Sequence, residues 1–321
     1  MILIISDPED GHVLPVASEL NRRGAEYVVF DPAAYPNACS ATIESSALGL
    51  TASLCVNHRI IDFKDVRGIW YRRPNPFVHR TELLPEEQKW LDDECQHFLR
   101  GFWATQRNVR WVSHPDAIRI ANSKVHQLAL AAELGFTVPR FAITNDVDKA
   151  WRFLASCPDG AVVKVLATPS IQFSHKVGTI YTHLLKRDDF YFISSVQHGP
   201  TFFQEFIDKT MDVRVTVMGN NLFAVGIDSQ NSEQARVDFR RAKIYTLPHK
   251  VLTLPQDIST RCIELVSALN LNFGAIDLVV TQDGRYIFLE INPNGQWYWL
   301  EEVTGIPLTT TMCDLLAGSH R

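Results

Sequence analysis

Six cysteines are spread through 321 residues, at Cys39, Cys55, Cys95, Cys157, Cys262 and Cys313, and no two form a C-x-x-C pair. Neither a zinc site nor a disulfide framework is suggested, and reduced thiols in a cytoplasmic protein are the expectation. There is no basic excess: 31 basic residues face 36 acidic ones, for a net charge of −5. Nothing electrostatic therefore favours a nucleic-acid partner. No apolar run is long enough to cross a membrane. The start, MILIISD, is apolar only from Ile2 to Ile5, too short for a signal-peptide core, and reads as a first strand. The turn after it, SDPEDGH, lacks G-x-G-x-x-G, which argues against a dinucleotide site there. The eleven histidines show no H-E-x-x-H spacing, and there is no internal repeat or low-complexity tract. What remains is a globular composition, 46% hydrophobic, long enough for two or three domains with a sizeable core.

The most informative stretch is FGAIDLVVTQDGRYIFLEINPNGQW, residues 273–297. Asp283-Gly284 is a two-residue hairpin signal between apolar runs. That turn pairs Gln282 with Arg285 and, counting outward, sets Asp277 opposite Glu290. Facing carboxylates repel unless something lies between them. Asn292 is two residues beyond Glu290 and shares its face. Two carboxylates and an amide oxygen suit a hard cation such as Mg²⁺, with waters and phosphate oxygens completing the shell. The alternative is a solvated acidic face; Ala275, Val279, Phe288 and Ile291 favour a buried hairpin instead.

The fold class expected is α/β and α+β. A strand at 2–5, a helix at 13–23 ending at Gly24 and a strand at 27–30 form a βαβ unit with parallel strands. Another strand is expected at 68–71, then a long helix at 85–103 whose apolar side carries Trp90, Leu91, Phe98 and Leu99. Asn122 or Ser123 caps a helix that stops at Gly135. Further strands are expected at 141–143, 161–166, 180–183, 202–207, 212–218 and 222–228. Helices are expected at 146–155, 258–269, 299–303 and 309–316. Residues 229–241 read as a polar loop or mobile excursion. The domains expected are 1–110, 111–190 and 191–321, the last with the metal site.

A Mg²⁺ site of this kind usually shares its ion with a nucleotide. Lys124 lies in the first turn of its helix. Lys164 sits among valines in AVVKVL, where a lysine is costly unless it meets an anion or reaches water. In FFQEFIDKTMDVRVTV, the strand with Gln204 and Glu205 has main-chain groups to offer a purine, and Asp212 can take ribose hydroxyls. Asp212, Arg214 and Thr216 share a face. Arg214 suits a phosphate, or a salt bridge to a neighbour such as Asp228. Arg72 and Arg73 end a strand, where ligands gather, and face acidic substrate side chains or form a structural ion pair. Trp297 and Trp299 pack the last helices or wall a substrate.

Taken in order, HPDAIRIANSKVHQLALAAELGFTVPRF, VVKVL, QEFIDKTMDVRV, DFRR and AIDLV…FLEINPN resemble the ATP-grasp superfamily over residues 111–317. YRRP at 71–74, IDSQ at 227–230 and NPNGQW at 292–297 narrow the likeness to graspetide synthetases, the microviridin-type maturases of ribosomal peptides. This resemblance implies an ATP-grasp fold with a small N-terminal α/β pre-ATP-grasp domain, and ATP and Mg²⁺ as cofactors. It implies Lys124 and Lys164 on the phosphates, Gln204, Glu205 and the main chain of Ile207 at adenine, and Asp212 at ribose. It implies Asp277, Glu290 and Asn292 on Mg²⁺, and Arg214 and Arg240 steadying the transferred phosphoryl group. The partner implied is a precursor peptide with a leader and an acidic core, with Arg72, Arg73, Asp228, Asn294 and Trp297 as candidate contacts; a homodimer is left open. One departure stands out: the loop at 167–177, which closes over phosphates in many relatives, holds no glycine. Ser170, Ser174, His175 or Lys176 are its candidate replacements.

The implied reaction phosphorylates an Asp or Glu side chain, and a Ser or Thr hydroxyl or a Lys amine then attacks the acyl phosphate. Asp228, His175 and Glu301 are candidate bases for a hydroxyl. Two rivals remain: a ligase joining free amino acids to a protein tail or small carboxylate, and a nucleotide-dependent peptide-binding module without turnover.

Overall fold

The computed structural model describes every residue except 48, 79–81, 168–169, 173–176 and 319–321. Two compact units divide it, one of Met1–Ile118, Asn270–Phe273 and Asn294–Arg321, the other of Arg119–Leu269 and Gly274–Pro293. Among the described residues no helix is long and apolar enough to cross a membrane. All six cysteines are unpaired.

The first unit is built on a four-stranded sheet of Tyr27–Phe30, Ile2–Ile5, Gly68–Tyr71 and Arg110–Val112, in that order. Every neighbour pair is parallel, as a βαβ start requires. Ile2–Ile5 is buried at all four positions, the mark of a parallel strand covered on both faces. Gly68 is needed for close approach: a Cβ there would lie 2.3 Å from the Leu316 carbonyl oxygen. The expected helix at 13–23 is Val13–Arg22, and the long one is Pro85–Thr105. Its buried side holds Cys95, Leu99, Phe102 and Trp103, whereas Trp90 is exposed.

A second, antiparallel sheet of Cys39–Ser46, Gly49–Val56 and Arg59–Asp62 escaped the sequence reading. Its last turn is Asn57-His58, both at positive φ (50° and 63°), with Val56 paired to Arg59. That is the two-residue geometry normally signalled by Asn-Gly, here without the glycine. Leu54, Val56 and Ile61 carry its buried face into the core with Phe63 and Phe102.

The second unit holds two larger sheets. One runs His183–Leu184, Ala161–Lys164, Thr201–Glu205, Phe141–Thr144 and is antiparallel throughout. The other runs His249–Leu252, Asn221–Ile227, Lys209–Met218, Phe273–Thr281, Tyr286–Asn292. The helices expected around them are Lys124–Glu133, Val147–Ala155 and Gln256–Ala268. The strand His249–Leu252 and the 3₁₀ segment Arg187–His198 were not anticipated. The polar run at 229–241 is turns ending in a 3₁₀ helix, Phe239–Arg241.

The C-terminal hairpin agrees with expectation at the site and departs from it at the turn. Asp277 pairs with Glu290, as expected. The loop, however, has three residues: Thr281 N donates to Arg285 O, and Gly284 adopts φ 79°. This is the longer loop closed by a left-handed glycine. It shifts the register by one, so Val280 pairs with Tyr286 and Leu278 with Phe288. A β-bulge between Asp277/Leu278 and Glu290/Phe288 then shifts it back. Bulges re-aim side chains near sites, and this one returns Glu290 to the face of Asp277.

Candidate functional site

A cavity of about 720 Å³ opens in the second unit, within the size range of small-molecule sites. Lys124, Lys164, Gln204, Glu205, Ile207, Asp212, Arg240, Asp277, Glu290 and Asn292 all line it. These residues come from both sheets, the Lys124–Glu133 helix and the 229–241 excursion.

Helix and hairpin are locked together by a residue the sequence reading passed over. Gln127 is buried, and its amide nitrogen donates to Ala121 O (2.6 Å) and Ile291 O (2.8 Å). Its amide oxygen accepts from Ile291 N at 3.2 Å. That fixes Lys124, one helical turn earlier, next to Glu290, and the two form an ion pair. The available signal was a glutamine on the helix face shared by Leu128 and Ala131.

Asp277 and Glu290 face one another with side chains only 16% and 23% exposed, so the solvated-face alternative does not hold. Their surroundings differ. Burial and the charge of Glu290 push the Asp277 carboxyl above the usual range, against Arg214. Burial would raise Glu290 too, but Lys124, Lys164 and Arg240 outweigh it and hold that carboxyl low. Desolvation lowers the Lys164 ammonium to about 8, against the pull of Glu290.

The donor set fits a hard divalent cation. Asp277 Oδ1 is buried and accepts no hydrogen bond, with the Arg214 guanidinium 3.2 Å away as its ion-pair partner, and it lies opposite a second carboxylate with Asn292 on the same wall. Among the described residues no three His, Cys, Asp or Glu side chains cluster. A bound Mg²⁺ would therefore draw further oxygens from water or phosphate.

The remaining residues fall into place unevenly. Gln204 is buried with Nε2 unpartnered. The Glu205 carboxylate is taken up by Arg140 (2.7 Å). Asp212 is buried, with both oxygens engaged by Lys209 (2.7 Å) and Ser229 (2.5 Å). Arg214 is not on the cavity wall; it donates to Asp277 at 3.2 Å, so its partner is Asp277 and not Asp228. Arg240 is held by Asp238 through two bonds (2.8 and 2.6 Å), which raise the guanidinium above its ordinary value. Lys209 and Asp238 also line the cavity and were missed, although both lie inside the DKTMDVRV and DFRR runs.

In the first unit Arg72 is 1% exposed. It donates to the carbonyls of Asn294 and Gly295 and lies beside Asp10 and His12. The ion pair with Asp10 that was the alternative to a substrate contact is present, and the guanidinium is buried. His12 Nε2 accepts from Trp297 N at 3.0 Å, and burial pushes the imidazole below its ordinary value against the pull of Asp10. Trp297 is fully buried edge-on against His12, so it packs the core and is no exposed wall. Arg73 is exposed and donates to Asn294 O.

Asp228 lines a separate polar recess of about 390 Å³ and accepts from Asn231 at 2.6 Å. Glu301 accepts from Thr309 N and Oγ1, in the first turn of the Leu308–Ala317 helix. Ser174, His175 and Lys176 lie outside the described residues, as does the side chain of Ser170.

Comparison with known proteins accounts for both units. The family model "MvdD pre-ATP grasp domain" matches residues 1–119, and "RimK-like ATP-grasp domain" matches residues 121–316. A RiPP-associated ATP-grasp ligase from Chryseobacterium gregarium, solved with ADP and a leader and core peptide, superposes with TM-score 0.92. It is 27% identical and covers 100% of this chain and 97% of that one. The macrocyclase MdnC of Microcystis aeruginosa, bound to precursor peptide MdnA, gives 0.86 at 25% identity, covering 99% of each chain. Macrocyclase MdnB of the same organism gives 0.81 at 28%, covering 98% of each. Among curated proteins, pyruvate carboxylase of Aspergillus niger is 29% identical over 139 residues. That match spans 39% of this chain and only 11% of the carboxylase.

Proposed function

The chain belongs to the RimK-like ATP-grasp family and has the ATP-grasp fold with an MvdD-type pre-ATP-grasp domain, and on that premise we propose that it is an ADP-forming ligase closing rings in a ribosomal precursor peptide. The observation that carries this is the convergence of Lys124, Lys164 and Arg240 with Asp277, Glu290 and Asn292 on one cavity. Likeness over the full chain to peptide-bound ligases and macrocyclases supports the peptide as substrate.

A carboxylate resists attack because it is anionic and its leaving group is oxide. Transfer of the γ-phosphoryl group from ATP supplies a good leaving group and needs positioning and charge neutralisation above all. Lys124 and Lys164 would grip the phosphates, and Lys124 must leave Glu290 to do so. Gln204 and the chain at Ile207 would hold the base, and Asp212 the sugar. Arg240, pre-set by Asp238, would meet the charge growing on the transferred group. Arg214 would reach it only by releasing Asp277. Mg²⁺, held by Asp277, Glu290 and Asn292, would supply positive charge against the phosphate oxygens. A Ser, Thr or Lys side chain of the peptide then attacks the acyl carbon and phosphate departs.

The test incubates the protein with ATP, Mg²⁺ and a candidate precursor peptide with an acidic core, then reads intact mass and nucleotide products. Loss of one water per link with ADP formation is expected. A mass gain by an added amino acid, or AMP in place of ADP, refutes the cyclase; an unchanged peptide with unspent ATP leaves a binding module.

A further inference from the structure

Lys209 has no part in the reaction above, yet it sits at a node of the cavity wall. It is 6% exposed, and its ammonium donates to Asp212 Oδ1 at 2.7 Å and reaches the Val237 carbonyl at 3.4 Å. The other Asp212 oxygen accepts from Ser229 Oγ at 2.5 Å. Gln230 Nε2 donates to that same hydroxyl (2.9 Å) and to the Arg236 carbonyl (3.3 Å). One buried carboxylate therefore ties down the start and the far limb of a single excursion, residues 229–241. The next residue after Val237 is Asp238, which clamps Arg240.

The excursion needs such ties. It is polar, and Ala235 and Phe239 are its buried apolar anchors among the residues at 229–241. Asp212 needs them as well, since a buried carboxylate is costly unless paired and hydrogen-bonded. A sugar hydroxyl donating to Asp212 would join a network that already holds the arginine-bearing limb.

We propose that Lys209 is a positioning residue that couples occupancy of the sugar carboxylate, Asp212, to the placement of Arg240 through the 229–241 excursion. This rests on the ATP-binding reading above. Filling the sugar site tightens the node and the limb that hangs from it; by reciprocity a limb fixed in place favours the sugar. A bound nucleoside therefore holds Arg240, already clamped by Asp238, more firmly in place.

Adenosine tests the coupling because it carries no phosphate for Arg240 to grip. In the parent protein saturating adenosine should slow hydrogen exchange of the amides at 235–241 by about fivefold, the low end of ordinary coupling factors. In Lys209→Met and Ser229→Ala that response should vanish at matched adenosine occupancy, set by calorimetry. Ser229→Ala should raise its KM for ATP by no more than the coupling lost, about fivefold, while kcat falls by about tenfold, as expected for a group acting through another. Lys209→Arg should restore part of the protection. Should Lys209→Met fail to fold, Ser229→Ala, which cuts the other tie between Asp212 and the excursion and leaves both charges in place, gives the same exchange reading. Undiminished protection in the variants, or none in the parent while adenosine demonstrably binds, overturns the proposal. If neither adenosine nor Mg·ADP binds the parent at all, the ATP reading itself fails and this inference with it.

Discussion

Asp277 and Glu290 face each other across one ladder pair, yet neutralising them should move stability in opposite directions. Glu290 lies against Lys124, with Lys164 and Arg240 adding to the positive field, and its carboxyl is held below the usual range. Glu290→Gln keeps the shape and leaves those cations unmatched. Breaking a buried pair by removing one partner costs about 3–5 kcal/mol. With 18% and 23% of the two side chains exposed, we expect the lower end, about 3 kcal/mol. Asp277 is pushed above the usual range by burial despite Arg214, so its charged form is a net burden in the fold. Asp277→Asn should be neutral or stabilising by about 1 kcal/mol near neutral pH. The assay is thermal unfolding without nucleotide or metal. Glu290→Gln should melt about 6–12 °C lower if the second unit melts separately, and Asp277→Asn no lower than the parent. The sign with pH follows. The contribution of Glu290 is complete above the unfolded carboxylate value and fades as pH falls toward its depressed folded value. The burden of Asp277 is complete above its raised folded value and vanishes below the unfolded one, so the advantage of Asn disappears in acid. Equal destabilisation by both substitutions would refute this division of the site.

Lys164→Met should weaken ATP binding by about 1–3 kcal/mol, the worth of one charge-assisted hydrogen bond, as read by calorimetry. Because the free ammonium titrates at about 8 and phosphate would raise that value, parental affinity should be flat below pH 8 and fall above it. The Met variant should lose that fall. Gln127→Leu strips three main-chain groups of their partner and should cost about 2–4 kcal/mol in chemical denaturation, with no measurable loss if the lock is unimportant. Arg72→Lys should destabilise by about 1–3 kcal/mol, because an ammonium cannot reproduce the fork that reaches the Asn294 and Gly295 carbonyls through one nitrogen and Asp10 and His12 through the others. A Lys variant as stable as the parent would show that charge alone suffices there.

The parallel start of the chain was legible because Ile2–Ile5, the helix to Arg22 and the strand at Tyr27 each carry a local signal that agrees with the others. The sheet at 39–62 was not, since its decisive turn uses Asn57 and His58 at positive φ, residues that carry no such signal on their own. The pairing of Asp277 with Glu290 came out right through two departures that cancel, a loop longer by one and a bulge further along the same hairpin. Period-2 counting from a turn has no means of seeing a bulge. The chemistry-bearing residues were visible as types in order, whereas Lys209, Asp238 and Gln127 act by holding others. Such roles depend on which elements meet in space, which spacing along one strand or helix does not state.

The central claim, that the cavity of Lys124, Lys164 and Arg240 activates a carboxylate by phosphorylating it, has a direct isotopic test. The precursor peptide would be prepared with ¹⁸O in its Asp and Glu side-chain carboxylates and turned over with ATP and Mg²⁺. If an acyl phosphate forms, the nucleophile displaces phosphate still bearing the carboxylate oxygen, so the released phosphate should carry one ¹⁸O for each link formed. Unlabelled phosphate accompanying a linked peptide, or label appearing in AMP, would contradict the account.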